Sequence, residues 1–296
     1  MTARSGVADL RQYTLVPGQR DTLIDLFDRY FVDGQEAVGI HVIGQFRDLD
    51  DQDRFVWLRG FDSMPDRAAA LQCFYNGPVW RAHRDRANAM MIGSDDALLL
   101  ALLEHGAPGP ACDVDRVDAP TASVAAITVA HLAGPVADAD GDLARSACHR
   151  LAAAGAEVVA AYTTHLAENN SSVLPLRDEH VLVWITRFAD DAEYAEHRNM
   201  LADSAAWRDT LRRLAVRSDR LPMQQLRLRP TVRACAENAK HGLRRRGHSS
   251  WPVQPARAML PESRAAATRG GSLTGRQTWS TSNRAARSPD RMAPSM

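Results

Sequence analysis

Phe55-Val56-Trp57-Leu58-Arg59-Gly60-Phe61, followed by Val79-Trp80-Arg81, returns later in the chain as Leu182-Val183-Trp184-Ile185-Thr186-Arg187-Phe188 followed by Ala206-Trp207-Arg208. In each copy the first Trp stands four residues before a Phe and 23 before the second Trp, and both anchors recur at an offset of 127. Two independent anchors at one offset mark two copies of one module. With 296 residues and 45% apolar content, the chain is long enough to fold as two such units.

Outward from the first anchor, the pattern assigns every element of one unit. Asp9 to Val16 reads as a strand closed by Pro17-Gly18. Arg20 to Gln35 reads as a helix, with Leu23, Leu26, Phe27, Tyr30 and Phe31 spaced as one buried face. Ile40 to Arg47 and Arg54 to Phe61 are strands around an acidic, polar turn. Ser63 to Tyr75 is a helix with Ser63 as its N-cap. Asn76-Gly77 breaks it, and Pro78 starts a further helix running to about Met91. Ala97 to Leu102 closes the unit as a strand.

Strand, helix, strand, strand, helix, strand is the ferredoxin-like order, which leaves one sheet face under helices and one bare. The second copy repeats it: strand Ser123 to His131, helix Asp142 to Ala154, strand Glu157 to His165, a longer loop through Asn169-Asn170-Ser171-Ser172, strand His180 to Phe188, helices over 190–217 and a strand near Gln224 to Leu228. The predicted fold is α+β: two tandem ferredoxin-like repeats that pack their bare faces together as an intrachain α/β barrel. The predicted organisation is a first repeat over 1–104, a linker rich in Gly, Pro and Asp over 105–120, a divergent second repeat over 121–229 and a tail over 230–296.

Zero net charge conceals a segregation, because residues 229–296 hold 13 Lys and Arg against 3 Asp and Glu, leaving the body strongly acidic. From Pro230 the apolar periodicity stops. An Arg-, Ser- and Pro-rich tail cannot offset the entropy of ordering, so it is predicted to be disordered. It could touch phosphates weakly. With only Trp251 and Trp279 as stacking aromatics and no recognisable motif, however, the sequence argues against a nucleic-acid partner.

No run approaches the roughly 18 apolar residues of a membrane span, and a start carrying Arg4, Asp9 and Arg11 lacks a signal-peptide core. A cytoplasmic protein without a membrane partner is expected. Cys73, Cys112, Cys148 and Cys235 are too scattered for a zinc site or a disulfide framework and read as reduced thiols. Glu179-His180 and Glu196-His197 lack metalloprotease spacing, so no metal is predicted. Phosphate-binding glycine loops and the G-x-S-x-G elbow are absent, which argues against nucleotide binding and the commonest hydrolase chemistry.

Leu10-Arg11-Gln12-Tyr13-Thr14-Leu15-Val16-Pro17-Gly18, the strand ending Gly44-Gln45-Phe46, Trp57-Leu58-Arg59-Gly60-Phe61 and Phe74-Tyr75-Asn76-Gly77-Pro78-Val79-Trp80-Arg81-Ala82-His83 together resemble the NIPSNAP family over most of residues 8–102. The second copy matches only in outline. The resemblance implies a dimeric α/β-barrel architecture, in a superfamily that also holds small monooxygenases and haem proteins. It carries an architecture rather than a reaction.

Strand alternation puts Phe55, Trp57, Arg59 and Phe61 on one face and Val56, Leu58 and Gly60 on the other. The aliphatic set is expected to pack under helices, which turns Trp57 and Arg59 toward the barrel interior. Arg11, Tyr13 and Leu15 of the first strand and His41, Ile43 and Gln45 of the second are expected beside them. The predicted small-molecule site therefore comprises Arg11, Tyr13, Gln45, Trp57, Arg59, Tyr75 and Trp80, with apolar walls and a few polar groups. Arg59 could hold a carboxylate or enolate through two N–H donors, and Tyr13 could exchange a hydrogen bond with it. The plainer reading is an arginine paired with an aspartate and a tyrosine capping the core.

The offset aligns Arg59 with Thr186, Tyr75 with Ala202 and His83 with Thr210, which points to function in the first copy and packing in the second. Tyr13, Arg59 and His83 are the catalytic candidates, with His83 as a general base or a haem ligand. The sequence thus favours a NIPSNAP-like protein that binds a small organic molecule, with monooxygenase or isomerase chemistry needing no cofactor. A non-catalytic scaffold or oligomerisation module and a haem-binding barrel are the alternatives, and a homodimer is compatible with all three.

Overall fold

The computed structural model describes residues 6–103, 123–171, 174–218 and 223–231. The predicted linker and tail, with Cys112 and Cys235, fall outside the described residues apart from Pro230 and Thr231. In the first half, β1 (Val7–Leu15) ends in a turn where Gly18 takes a positive φ of 78°, a conformation that costs glycine little. The predicted first helix is α1 (Arg20–Leu26), one wide turn over Phe27–Phe31 and α2 (Val32–Glu36). Such wide turns often accompany functional sites. Next come β2 (His41–Asp48), β3 (Arg54–Phe61), α3 (Met64–Tyr75), α4 (Pro78–Ala89) and β4 (Met91–Leu102).

The second half runs β5 (Val124–Leu132), α5 (Asp138–Ala153), β6 (Glu157–Thr164), β7 (His180–Phe188), α6 (Asp191–Asp203), α7 (Ala205–Arg217) and β8 (Gln224–Pro230). Two boundaries differ from the pattern by more than two residues. β4 starts six residues early because its first turn of strand, Met91 to Asp96, is polar and partly exposed and shows no apolar alternation. α5 starts four residues early, where the Asp140 side chain accepts the backbone N–H of Ala137 at 2.9 Å and closes the helix start.

The eight strands close into a barrel in the order β1-β3-β2-β8-β5-β7-β6-β4, so the two halves join edge to edge at β2–β8 and β4–β6 as well as facing one another. Closure gives every described strand a neighbour on both sides, although each seam between the halves pairs only three residues. The interior is filled by aliphatic residues from both halves, among them Leu10, Val56, Leu58, Leu98, Ile127, Val183 and Leu228, each at most 2% exposed.

That filling reverses the predicted facing of the strands. Val56 and Leu58 point inward, while Trp57 and Arg59 point outward beneath the helices. An eight-stranded barrel has room for little more than medium-sized side chains. Branched aliphatics fill it, and the bulky residues go to the layer between sheet and helices. The set His41, Ile43 and Gln45 is also broken, because the pairing of β2 with β3 shifts register between Val42 and Gly44. Ile43 joins the interior, Gln45 donates to Asp28 at 3.1 Å on the helix side, and His41 is exposed with Asp62 at 3.4 Å.

Candidate functional site

On the helix side of the first half, antiparallel register places Asp9 opposite Arg59, Arg11 opposite Trp57 and Tyr13 opposite Phe55. α3 adds Arg67, which occupies the buried stripe that continues through Ala70, Leu71 and Phe74. The Asp9 carboxylate receives Arg59 Nε at 3.0 Å and Nη2 at 2.9 Å on one oxygen, and Arg67 Nε at 3.0 Å on the other. All three side chains are 0% exposed. Arg11 adds a third guanidinium, donating to Tyr13 Oη at 3.2 Å and to the Ser94 carbonyl at 3.0 Å.

Burial pushes the Asp9 carboxyl up, but Arg59, Arg67 and Arg11 outweigh it and hold the group below the usual aspartate value. Burial also weakens the charged form of Arg59, yet Tyr75, Asp9 and Tyr13 keep its pKa above the ordinary arginine value. The Tyr13 hydroxyl is raised above the usual tyrosine range, chiefly by burial. At neutral pH the cluster therefore holds three cations, one anion and a protonated Tyr13.

Above this cluster lies a narrow cleft with about 20 Å³ of free space, room for about one water molecule, so a larger ligand has to part its walls. Tyr13, Phe27, Phe31, Gln35, Trp57, Phe74, Tyr75, Trp80, Ala87 and Met91 line it. The rings meet edge to face, with Trp57 at 5.9 Å from Tyr13 and 5.2 Å from Phe27, and Tyr75 at 4.9 Å from Trp80. The wide turn at Phe27–Phe31 supplies two of these walls.

Gln35 Oε1 in this lining accepts from Arg59 Nη1 at 3.4 Å, while the other polar groups are left as donors. Tyr13 Oη accepts from Arg11, and Tyr75 Oη accepts from Arg59 Nη1 at 3.4 Å, so each hydroxyl has its own proton left to donate. Trp57 Nε1 and Arg11 Nη1 are buried donors with no hydrogen-bond partner among the described residues. The lining residues include neither a carboxylate nor an imidazole. Such a site suits a flat ligand that brings acceptor oxygens or a negative charge.

Of the predicted site residues, Tyr13, Trp57, Tyr75 and Trp80 line the cleft, and Arg11 and Arg59 lie against Tyr13 and Tyr75. Arg59 takes the plainer of its two predicted forms, since Asp9 occupies its Nε and Nη2 and leaves only Nη1, shared with Gln35 and Tyr75, at the cleft. Gln45 belongs to a separate contact with Asp28. His83 lies outside the lining, stacked on Tyr30 at 3.9 Å between ring centres and edge-on to the lining residue Phe31 at 6.3 Å. Among the described residues no group of three or more His, Cys, Asp or Glu could hold a metal ion, and no helix is long and apolar enough to cross a membrane.

Asp9, Arg67 and Gln35 escaped the sequence reading. The signal for Asp9 was its place two residues before Arg11 on one strand face. For Arg67 it was a charged residue on an apolar helical stripe. Gln35 gave none.

A closed barrel of ferredoxin-like α+β halves, with a cleft between sheet and helices in one of them, defines the class of fold. Within it, residues 8–105 match the NIPSNAP family model, a stretch that covers most of the first half. Among solved structures, an anthrone oxidase-like protein shares 11% identity, with 77% of this chain and 92% of that chain covered and a TM-score of 0.50. A candidate monooxygenase of Fusobacterium nucleatum shares 9%, with 76% and 91% covered and a TM-score of 0.49. An uncharacterized NIPSNAP-like domain protein from Burkholderia xenovorans shares 21%, with 36% of this chain and 92% of that chain covered and a TM-score of 0.32. At these identities the likeness concerns the fold. No curated protein matches the chain by sequence.

Proposed function

We propose that the first half binds a small planar organic molecule with an ionisable hydroxyl, a phenol or an enol, and binds it as the anion. The observation that carries this reading is the surplus of buried positive charge beneath an aromatic-walled cleft where two tyrosine hydroxyls and the Trp57 indole have protons to donate. Nearby cations and hydrogen-bond donors favour the ionised form of a bound acid. Buried donors left without partners are costly in a purely structural module, which counts against the scaffold alternative. Catalysis on this reading begins with the bound anion: its raised electron density is what a cofactor-independent oxygenase or an isomerase acts upon.

Titration of the protein with 4-nitrophenol, whose anion absorbs visible light, tests this. The wild-type protein is expected to bind the anion and to ionise it at a lower pH than free solution does. Tyr13→Phe removes one donor and is expected to weaken binding about tenfold, the effect of one hydrogen bond to a charged group. Preferential binding of the neutral phenol would overturn the reading.

A further inference from the structure

The loop between β6 and β7 leaves the second half and reaches the charged cluster of the first. Its Asn169 and Asn170 carbonyl oxygens accept from Arg67 Nη1 at 3.2 and 2.7 Å. The Asn170 amide donates to the Met64 carbonyl at the start of α3, and that of Asn169 to the Leu174 carbonyl at 2.8 Å. Leu174 is 8% exposed and belongs to the apolar cluster of the first half, which Leu176 also packs against. Backbone bonds from His165 to Leu99 and from Arg177 to Ala97, at 2.9 and 2.8 Å, tie both ends of the loop to β4.

These contacts use the third corner of the Arg67 fork. Nε and Nη2 face Asp9, and Nη1 faces the two asparagines. A guanidinium fully removed from water stays only where its donors are met. From Asn169 and Asn170 the bonded path continues through Arg67 and Asp9 to Arg59, whose Nη1 reaches Gln35 and Tyr75 in the cleft lining.

We infer that Asn169 and Asn170 are positioning residues for the cleft of the other half, an inference that rests on the anion-binding reading for its effect on ligand. They hold Arg67 on Asp9. With Arg67 in place, one carboxylate is shared between two cations and the cluster keeps its positive surplus toward the cleft. Without the two amide oxygens Arg67 turns toward water, Asp9 then neutralises Arg59 alone, and the surplus falls by one charge. The second half thus contributes to a site whose charged residues it lacks.

The test compares the full chain with Asn169→Ala/Asn170→Ala, two exposed positions whose replacement is expected to leave the far-ultraviolet circular dichroism unchanged and to lower the melting temperature, since Arg67 and two backbone carbonyls lose hydrogen bonds. In ligand-free protein, nitrogen-15 spectra of the arginine side chains are expected to show the Arg67 Nε–H newly exchanging with solvent and the Arg59 signal shifted. With 4-nitrophenol, the variant is expected to bind the anion about tenfold more weakly and to ionise it closer to the pH of free solution. Unchanged Arg59 and Arg67 signals would overturn the inference, as would an unchanged ionisation of bound probe. Altered arginine signals in a protein that binds no nitrophenol at all would uphold the link between the halves and sink the anion-binding reading instead. Should the double variant fail to fold, Asn170→Ala alone carries the same measurements.

Discussion

Where β1 and β3 carry Asp9, Arg11, Tyr13 and Arg59, the matching register of β5 and β7 carries Ala126, Thr128, Ala130 and Thr186. Both halves build the same strand and helix order, and both keep a buried Trp at the centre of the third strand, Trp57 and Trp184. In the second half small residues let α5 come close enough for Trp184 Nε1 to donate to the Ala144 carbonyl at 3.1 Å. In the first half the indole N–H has no such partner among the described residues, and aromatic rings separate sheet from helices around a cleft. The fold does not need the charged cluster, since one half forms without it. Its presence in the other half therefore asks for a different reason, and ligand binding supplies one.

The sharpest way to break this contrast is at Asp9. Asp9→Ala leaves Arg59 and Arg67 buried without their carboxylate and is expected to cost about 3–5 kcal/mol in urea unfolding. Asp9→Ala/Arg59→Thr/Arg67→Tyr, which gives the first half the residues found at the second half's aligned positions, is expected to recover part of that loss. Equal destabilisation by both would show that the cluster is structural. pH adds a second axis. Because the folded-state pKa of Asp9 lies below its unfolded value, its contribution is complete above the ordinary aspartate range and disappears as pH falls through the depressed value. Asp9→Ala should therefore flatten the acid limb of the stability curve.

A smaller effect separates the two tryptophans. Trp184→Phe removes a satisfied hydrogen bond and is expected to cost about 1 kcal/mol more than Trp57→Phe in the same unfolding experiment. Trp57→Phe should instead weaken binding of nitrophenolate, which Trp184→Phe leaves alone. The reverse ranking would place the site in the wrong half. Smallest of all is the difference between helix caps at aligned positions. Ser63 receives one N–H, from Asp66 at 3.3 Å, while Asp190 receives two, from Ala192 and Glu193 at 2.9 Å. Asp190→Ala is expected to lose about 1 kcal/mol and Ser63→Ala about half of that, read as shifts in melting temperature.

The architecture was legible because its signals are local and repeated: the Trp anchors, the buried Leu23, Leu26, Phe27 and Phe31, the Ser63 cap and the Pro78 start all fall where the pattern puts them. Tyr30, predicted on the same buried face, is exposed because the wide turn over Phe27–Phe31 departs from helical spacing. Most of the site was legible too, since alternation groups Arg11 with Tyr13 and Trp57 with Arg59 whichever way the strand faces. The facing itself was not. Alternation names two faces without saying which is narrower, and here the narrow barrel interior takes Val56 and Leu58. Gln45 was misplaced for a related reason, because the bulge near Ile43 changes parity without any proline or charge to announce it. Asn169 and Asn170 were visible only as a longer loop. Their contact with Arg67 joins positions about a hundred residues apart, beyond the reach of any local pattern.

The seam between β2 and β8 has a consequence for how the chain is made. Phe46 pairs with Pro230, so the barrel cannot shut until nearly the whole described chain has left the ribosome. Contacts so distant in sequence form slowly. Until the seven residues of β8 arrive, β2 and β5 present open edges to any neighbouring chain. During synthesis, the last strand is what separates a closed barrel from a nascent chain prone to aggregate.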